Sequence, residues 1–255
     1  MIFLRIVSEL VRCGMISVCM STYNGGRHLK EQVLSILSQL SDQDEVVVSD
    51  DGSTDDTIDV LSSFEDKRIR VFEHQKESSK YAFDYTTRNV EHALKMAKGD
   101  FIFLADQDDV WMPNKVTKFM EILKSSDLVL SDCVVTDSKL NQLSNSYFIK
   151  NGSKKGIVNN LLRNSYLGCC MAFRSSALSY VLPFPKTLVP HDIWIGLNVE
   201  MRGNVHFLDE PTLYYRRHES NLSTSSDKSS YSIAFRIYYR MMIIFNLLKR
   251  LYAEK

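Results

Sequence analysis

From Ile16 onward the chain alternates short apolar, β-rich runs with stretches of helical periodicity. Ile16–Met20 (ISVCM) reads as a buried strand, and His28–Leu40 as a helix with Leu29, Val33, Ile36, Leu37 and Leu40 on one face. Glu45–Ser49, centred on Val46-Val47-Val48, is a second strand. A helix over Asp56–Phe64 follows, capped by Ser53 or Thr54. Ile69–Phe72 is a third strand and Thr86–Ala97 another helix. Phe101–Ala105 is a fourth strand, entered through Gly99-Asp100. Pro113 sits near the start of a helix through Leu123, where its missing donor does least harm. Beyond about residue 135 the pattern loosens. Leu128–Leu130 and Tyr166–Phe173 are strand-like, and His191–Met201 is helical. This βαβα alternation indicates an α/β fold with a mostly parallel, doubly wound sheet. Its continuous apolar strands imply helices on both faces.

Four segments emerge: an N-terminal extension (1–14), a catalytic-sized domain (15–220), a Ser-rich linker (221–230) and a C-terminal segment (231–255). Met15, directly before the first strand, is an alternative to Met1 as the start. MIFLRIVSEL lacks a basic leading region, and Glu9 and then Arg12 come before any small-residue cleavage site, which argues against a secretory signal. Nowhere do 18 apolar residues run uninterrupted, so no spanning helix is expected. Residues 231–252 (YSIAFRIYYRMMIIFNLLKRLY) place Arg236, Arg240, Lys249 and Arg250 among apolar positions. Such a basic amphipathic helix suits an anionic membrane surface. The competing readings are packing on the domain and a homodimer contact.

Polar residues cluster after three of the expected strands, where an open parallel sheet binds its ligands. They are Ser21-Thr22-Tyr23-Asn24-Gly25-Gly26, Asp50-Asp51-Gly52-Ser53-Thr54-Asp55 and Asp106-Gln107-Asp108-Asp109. Turn-making and capping account for Gly52, Ser53 and Thr54, but not for so many carboxylates at one edge, which repel unless a cation or donors compensate. Asp106 and Asp108, two apart on a loop, offer hard oxygen ligands suited to Mg²⁺ or Mn²⁺ holding a diphosphate. No G-x-G-x-x-G follows the first strand, which argues against a dinucleotide-dependent dehydrogenase. The P-loop signature and a nucleophile elbow are absent too.

The runs ISVCMSTYN (16–24), VVVSDDGSTD (46–55) and FLADQDDVWMPNK (103–115), with Arg88-Asn89 between them, resemble the inverting family 2 glycosyltransferases of GT-A fold. HDIWIG (191–196) and YYRRHESN (214–221) are most similar to bacterial rhamnosyl- or glucosyltransferases of O-antigen and capsule assembly. The resemblance implies a nucleotide-sugar donor, with UDP-glucose or dTDP-rhamnose favoured, and a lipid-linked (undecaprenyl diphosphate) glycan acceptor. It places Thr22, Tyr23, Asn24, Asp50, Asp51, Arg88, Asp106, Gln107, Asp108 and Arg216 at the nucleotide sugar, with Asp51 on the pyrimidine base. Asp106, Asp108 and His218 would hold Mn²⁺ or Mg²⁺. Asp192 would be the catalytic base, with His191 and Trp194 on the acceptor side. Each has a plainer reading: Asp192 as an N-cap, His218 as a solvated histidine, Arg216 and Arg217 as a solvated pair, Trp111 and Trp194 as packing residues.

Two other classes compete. D-Q-D-D-V (106–110) also fits the aspartate loop of haloacid dehalogenase-type phosphatases, which carry it on the first strand; here three strands precede it. A non-catalytic nucleotide-sugar-binding module would bind without turnover.

Composition then narrows the partners. Lys plus Arg (31) equal Asp plus Glu (31), so no global basic field favours nucleic acid. Residues 221–255 nonetheless carry six basic and two acidic side chains, leaving an acidic remainder. Five cysteines in no metal spacing fit a reducing compartment. The expected location is cytoplasmic, peripheral at the inner face of the bacterial membrane.

Overall fold

The computed structural model describes residues 14–76, 79, 81–187, 189–219 and 232–253. The linker over 221–230 and nearly all of the 1–14 extension lie outside the described residues. The ordered chain runs β1 (Ile16–Thr22), α1 (Gly26–Leu37), β2 (Glu45–Asp50), α2 (Thr57–Ser62), β3 (Ile69–Glu73), α3 (Ala82–Met96), β4 (Phe101–Ala105), β5 (Val110–Trp111) and α4 (Lys115–Ile122). There follow β6 (Leu128–Thr136), β7 (Gln142–Ser144), α5 (Tyr147–Asn151), α6 (Ile157–Leu162), β8 (Met171–Arg174), α7 (Leu178–Val181), α8 (His191–Arg202), β9 (Val205–Arg216) and α9 (Ile233–Ala253).

The sheet order is β3-β2-β1-β4-β8-β6-β9-β5, with β7 beside β6. β1, β2, β3 and β4 pair in parallel. Their apolar residues, among them Val18, Met20, Val46, Val47, Val48, Ile102 and Phe103, are fully buried. β1 to β3 advance in one direction, and β4 steps back to the far side of β1. With right-handed crossovers, α1 and α2 cover one face and α3 the other. That reversal opens a crevice at the carboxyl ends of β1 and β4, the switch point where such sheets bind ligands.

Past β4 the sheet is mixed. β8 runs antiparallel to both β4 and β6, whereas β6 and β9 pair in parallel. The strand expected over Tyr166–Phe173 is shorter: a 3₁₀ turn at Gly168–Cys170 precedes β8. β9 is an element the hydropathy pattern hid. Its register slips where Ser131 faces Leu208 but Asp132 faces Pro211, so Asp209 and Glu210 bulge out around a proline that cannot donate to the ladder. The expected cap of α2 also differs: Asp56 occupies the N-cap, and Ser53 and Thr54 bond elsewhere.

α9 packs on the domain. Ile243, Asn246 and Leu247 are buried, and Asn246 Nδ2 donates to Thr187 Oγ1 at 2.8 Å. Arg240 donates to the carbonyls of Leu161 (2.7 Å) and Leu162 (2.5 Å), and Arg250 to those of Leu182 (2.6 Å) and Pro183. Two of the four cations expected to face a membrane thus anchor the helix instead. Among the described residues no helix is long and apolar enough to cross a membrane.

Candidate functional site

Three loops interlock at the switch point. Asp50, buried at the end of β2, accepts hydrogen bonds from Thr22 Oγ1 (2.7 Å), Ser53 N (2.7 Å) and Ser53 Oγ (2.6 Å). Asn24 N donates to Ser53 Oγ at 2.8 Å, and Thr54 N to Asn24 Oδ1 at 2.8 Å. The first amides of α1 find partners in the second loop, Gly25 N on Thr57 Oγ1 (2.9 Å) and Gly26 N on Asp55 Oδ2 (3.1 Å). A side chain at either glycine would displace a neighbouring side chain. A Cβ at Gly25 would lie 2.2 Å from Gln107 Oε1, and one at Gly26 would lie 1.8 Å from Asp56 Oδ1. Gln107 locks the third loop to the first, accepting from Tyr23 N (2.9 Å) and donating to Tyr23 O (3.2 Å). Asn24, Asp50 and Gln107 therefore use these atoms to shape the crevice.

Asp51 stands on the crevice wall. Its amide donates to Thr22 O (3.0 Å), and Asn89 Nδ2 donates to the same carbonyl at 3.1 Å. Burial pushes the Asp51 carboxyl up, opposed by the hydrogen bond from His74 at 2.6 Å. A small cleft lies here, lined by Asp51, His74, Lys76, Asp84, Tyr85 and Arg88. Lys76 Nζ rests 3.5 Å from the Tyr23 ring centre, and Tyr23 is 43% exposed, so an aromatic face lies at the rim. Arg88 donates to Pro185 O (2.6 Å) and pairs with Asp84 and Glu91.

The acidic loop follows β4. β5 pairs antiparallel with β9, Val110 opposite Tyr214 and Trp111 opposite Leu213, which draws the end of β9 beneath the aspartates. Arg216 is 3% exposed, so the solvated-pair reading does not hold for it. Its amide donates to Asp109 Oδ1 (2.9 Å), and its guanidinium to Asp108 O (2.7 Å), Ser138 O (2.8 Å) and Glu31 (2.5 Å). These contacts make it a strap beneath the loop. Two residues on, His218 Nε2 lies 2.8 Å from Asp108 Oδ2. The structure thus brings together Asp108 and His218, 110 residues apart in sequence.

Crowding shows in the charges. Burial and the neighbouring Asp108 push the Asp106 carboxyl up to about 7. Burial, Asp108 and Asp106 raise that of Asp109 as well. Asp109 Oδ2 is buried with no hydrogen-bond partner. Cys169 Sγ approaches Asp106 and Asp109, and burial raises its thiol well above the usual value. Without a cation the thiol is therefore neutral, and its sulfur lies with one oxygen each of Asp106 and Asp109 inside a 4.8 Å cluster that could hold a metal.

Asp192 projects from the first turn of α8. The N-cap is Pro190, so the capping role does not fall to Asp192, although a carboxylate in that turn favours the helix dipole. Asn164 Nδ2 donates to Asp192 Oδ2 (3.1 Å) and Ile193 N to Oδ1 (2.7 Å). Burial still raises the carboxyl above its usual range. His191 lies beside Gly168, where a Cβ would come 2.7 Å from Nε2, and its buried Nδ1 has no hydrogen-bond partner among the described residues. Trp194 is not brought to the crevice: it is 1% exposed and donates to Val181 O at 2.8 Å. Trp111 is likewise buried. Asn164 and His74, which position Asp192 and Asp51, carried no sequence signal. Only spatial neighbours reveal them.

Residues 17–182 match the model for glycosyl transferase family 2. An uncharacterized glycosyltransferase of Nostoc is 28% identical over 81% of this chain, which spans 66% of that relative's length. The Escherichia coli protein WfaP, a UDP-Glc:α-D-GlcNAc-diphosphoundecaprenol β-1,3-glucosyltransferase, is 25% identical over 91% of each chain. Among solved structures, Staphylococcus aureus TarS in complex with UDP-GlcNAc superposes with a TM-score of 0.64 at 19% identity, covering 91% of this chain and 67% of TarS. The Pyrobaculum calidifontis mannosyltransferase PcManGT, in complex with GDP-Man and Mn²⁺, gives 0.59 at 19% identity, covering 95% and 65%. Family, sheet order and crevice agree, and the position of the aspartate loop after the fourth strand removes the phosphatase reading. The chain belongs to glycosyl transferase family 2 and is a glycosyltransferase of GT-A fold.

Proposed function

We propose that this enzyme is an inverting, metal-dependent hexosyltransferase. It moves a sugar from a pyrimidine nucleotide diphosphate donor to a hydroxyl of a lipid-diphosphate-linked glycan in bacterial polysaccharide assembly. The observation that carries the reading is the placement of Asp51 after β2 and of Asp106 and Asp108 after β4 at one end of the sheet, with His218 Nε2 2.8 Å from Asp108 Oδ2. The relatives named as acting on GlcNAc-diphosphoundecaprenol support the acceptor class.

The aspartate loop fits a hard divalent cation. Its donors are carboxylates and imidazole with the Cys169 sulfur beside them, Asp109 Oδ2 has no hydrogen-bond partner among the described residues, and the crowded carboxyls are held toward the neutral form until a cation compensates them. Asp106, Asp108 and His218 would hold Mn²⁺ or Mg²⁺. When bound, it supplies Lewis-acid stabilisation of the departing diphosphate. Asp51 receives the base, Tyr23 offers an aromatic face and Arg88 adds positive charge along the cleft. Asp192 accepts the proton of the attacking hydroxyl, and burial, by raising its carboxyl above the usual range, makes it a stronger base than an exposed aspartate. UDP-glucose and dTDP-rhamnose are the favoured donors. A panel of these with UDP-galactose and UDP-GlcNAc, offered with Mn²⁺ and a GlcNAc-diphosphate-lipid, should give transfer from at least one. Turnover of none, or hydrolysis indifferent to the lipid, would refute the reading.

The outer side of α9 completes it. Ile233, Ile237, Met241, Phe245, Leu248 and Tyr252 form an exposed stripe at helical spacing, with Arg236 and Lys249 also exposed. This face would rest in the headgroup region of an anionic membrane and bring the crevice to its lipid-linked acceptor. The enzyme should sediment with vesicles of anionic phospholipid, and Phe245→Glu should weaken that binding about tenfold or more by removing a buried aromatic and adding like charge. Equal sedimentation of the variant would exclude this face.

A further inference from the structure

Asp51 is not a simple carboxylate facing a base. His74 follows β3, and its amide is fixed by Asp50 O at 2.8 Å. Its Nδ1 lies 2.6 Å from Asp51 Oδ1, with side-chain exposures of 18% and 3%. An ionised carboxylate can only accept, so Nδ1 carries the proton. The ring is fixed from behind: His92 of α3 lies 5.1 Å away, centroid to centroid, and its own Nδ1 bonds to Ser49 Oγ at 2.7 Å. Among the described residues nothing donates to Asp51 Oδ2. Oδ1 is committed to His74, and Asp51 lines the cleft.

We infer that His74 sets the base preference of the donor site. By donating to Oδ1 it orients the Asp51 carboxylate and leaves Oδ2 as its stronger free acceptor, which favours uracil and thymine over guanine and cytosine. This rests on the reading of Asp51 as the base-binding residue. The edges of the bases explain why. Uracil and thymine present one ring N–H between two carbonyl oxygens. A single carboxylate oxygen accepts that N–H, while a second uncapped oxygen would face a carbonyl and repel it. Guanine presents a ring N–H and an amino group side by side and matches a carboxylate with both oxygens free. With Oδ1 already bonded to His74, one guanine donor meets an occupied and therefore weaker acceptor in a buried wall, which costs affinity. Cytosine offers a ring lone pair where uracil offers N–H, so it opposes the open oxygen directly. Uracil and thymine differ only at C5, on an edge Asp51 does not meet, so His74 does not separate UDP-sugars from dTDP-sugars.

The test is calorimetric titration of the full-length enzyme with UDP, dTDP, GDP and CDP in the presence of Mn²⁺. UDP and dTDP should bind at least about tenfold more tightly than GDP and CDP, the effect of one charge-assisted hydrogen bond. His74→Phe keeps a ring against His92 but removes the donor, and should bring the UDP-to-GDP ratio to within about threefold of unity. His74→Asn places an amide N–H where Nδ1 stood and should retain most of the preference. Should His74→Phe not fold, His74→Ala is compared with His74→Asn in its place. A wild-type preference for GDP, or a ratio unmoved by loss of the His74 donor, would overturn the inference. Asp51→Ala separates the two readings. If it leaves UDP affinity unchanged, the base-binding assignment itself is wrong. If it weakens UDP while the His74 variants leave the ratio intact, only the role of His74 falls.

Discussion

Replacing Asp192 with Asn should lower kcat by about 10²- to 10⁴-fold, the usual contribution of a positioned general base. Nucleotide affinity and thermal stability should stay near the parent values. Shape is preserved, and the amide can keep its contact with Ile193 N through its oxygen. What is lost is the capacity to take a proton from a hydroxyl that is a poor nucleophile until it is deprotonated. The pH profile carries an independent signature. Burial raises the carboxyl, so it remains protonated to a higher pH than an ordinary aspartate. A base works only when deprotonated. Activity should therefore fall on the acid side, with an inflection above the usual aspartate value, and Asp192→Asn should lose that limb. Asn164→Ala removes a donor that favours the charged form and should move the limb to still higher pH. An unchanged profile in Asp192→Asn, with near-normal turnover, would mean that another group is the base.

The second large effect belongs to the aspartate loop. Asp108→Asn should reduce transfer by about 10²- to 10³-fold, comparable with removing one preorganised electrostatic partner of a developing charge. It should also raise the Mn²⁺ concentration needed for half-maximal activity, because one carboxylate of a hard-oxygen site is gone. Treatment with EDTA should abolish transfer in the parent, and readdition of Mn²⁺ or Mg²⁺ should restore it. The contact between Asp108 Oδ2 and His218 Nε2 links the two residues, so His218→Ala should shift the metal requirement in the same direction by a smaller factor. Transfer that persists in EDTA would remove the metal from the mechanism.

The parts of this site legible in the sequence share one property: they are local. β1, β2 and β4 are continuous apolar runs because helices cover both faces, and the polar loops follow them directly. Asp51, Asp106 and Asp108 could therefore be placed at one sheet edge from order along the chain alone. The second half of the sheet resists such reading because its burial depends on distant partners. β6 is buried throughout, yet Ser131, Asp132 and Thr136 break its apolar pattern. Each is satisfied by another segment: Ser131 by Thr212 at 2.6 Å, Asp132 by Phe148 N at 2.9 Å, and Thr136 by Tyr215 O at 3.3 Å. β9 contains Pro211, which reads as a break until the bulge that accommodates it is seen. Without β9 the residues alone do not bring His218 to Asp108, which only the family resemblance had grouped, and the burial of Arg216 looks like surface charge. The C-terminal segment was legible as an amphipathic helix. That Arg240 and Arg250 bond backward to the domain required the fold.

Stereochemistry tests the central claim most directly. A single displacement assisted by Asp192 requires attack from the face opposite the departing diphosphate, with no sugar attached to the protein at any stage. The product formed from an isotopically labelled nucleotide sugar and a GlcNAc-diphosphate-lipid can be read by NMR from its anomeric coupling. The account predicts a new glycosidic bond of opposite anomeric configuration to the donor, β from UDP-α-glucose. A product that retains the donor configuration would contradict it.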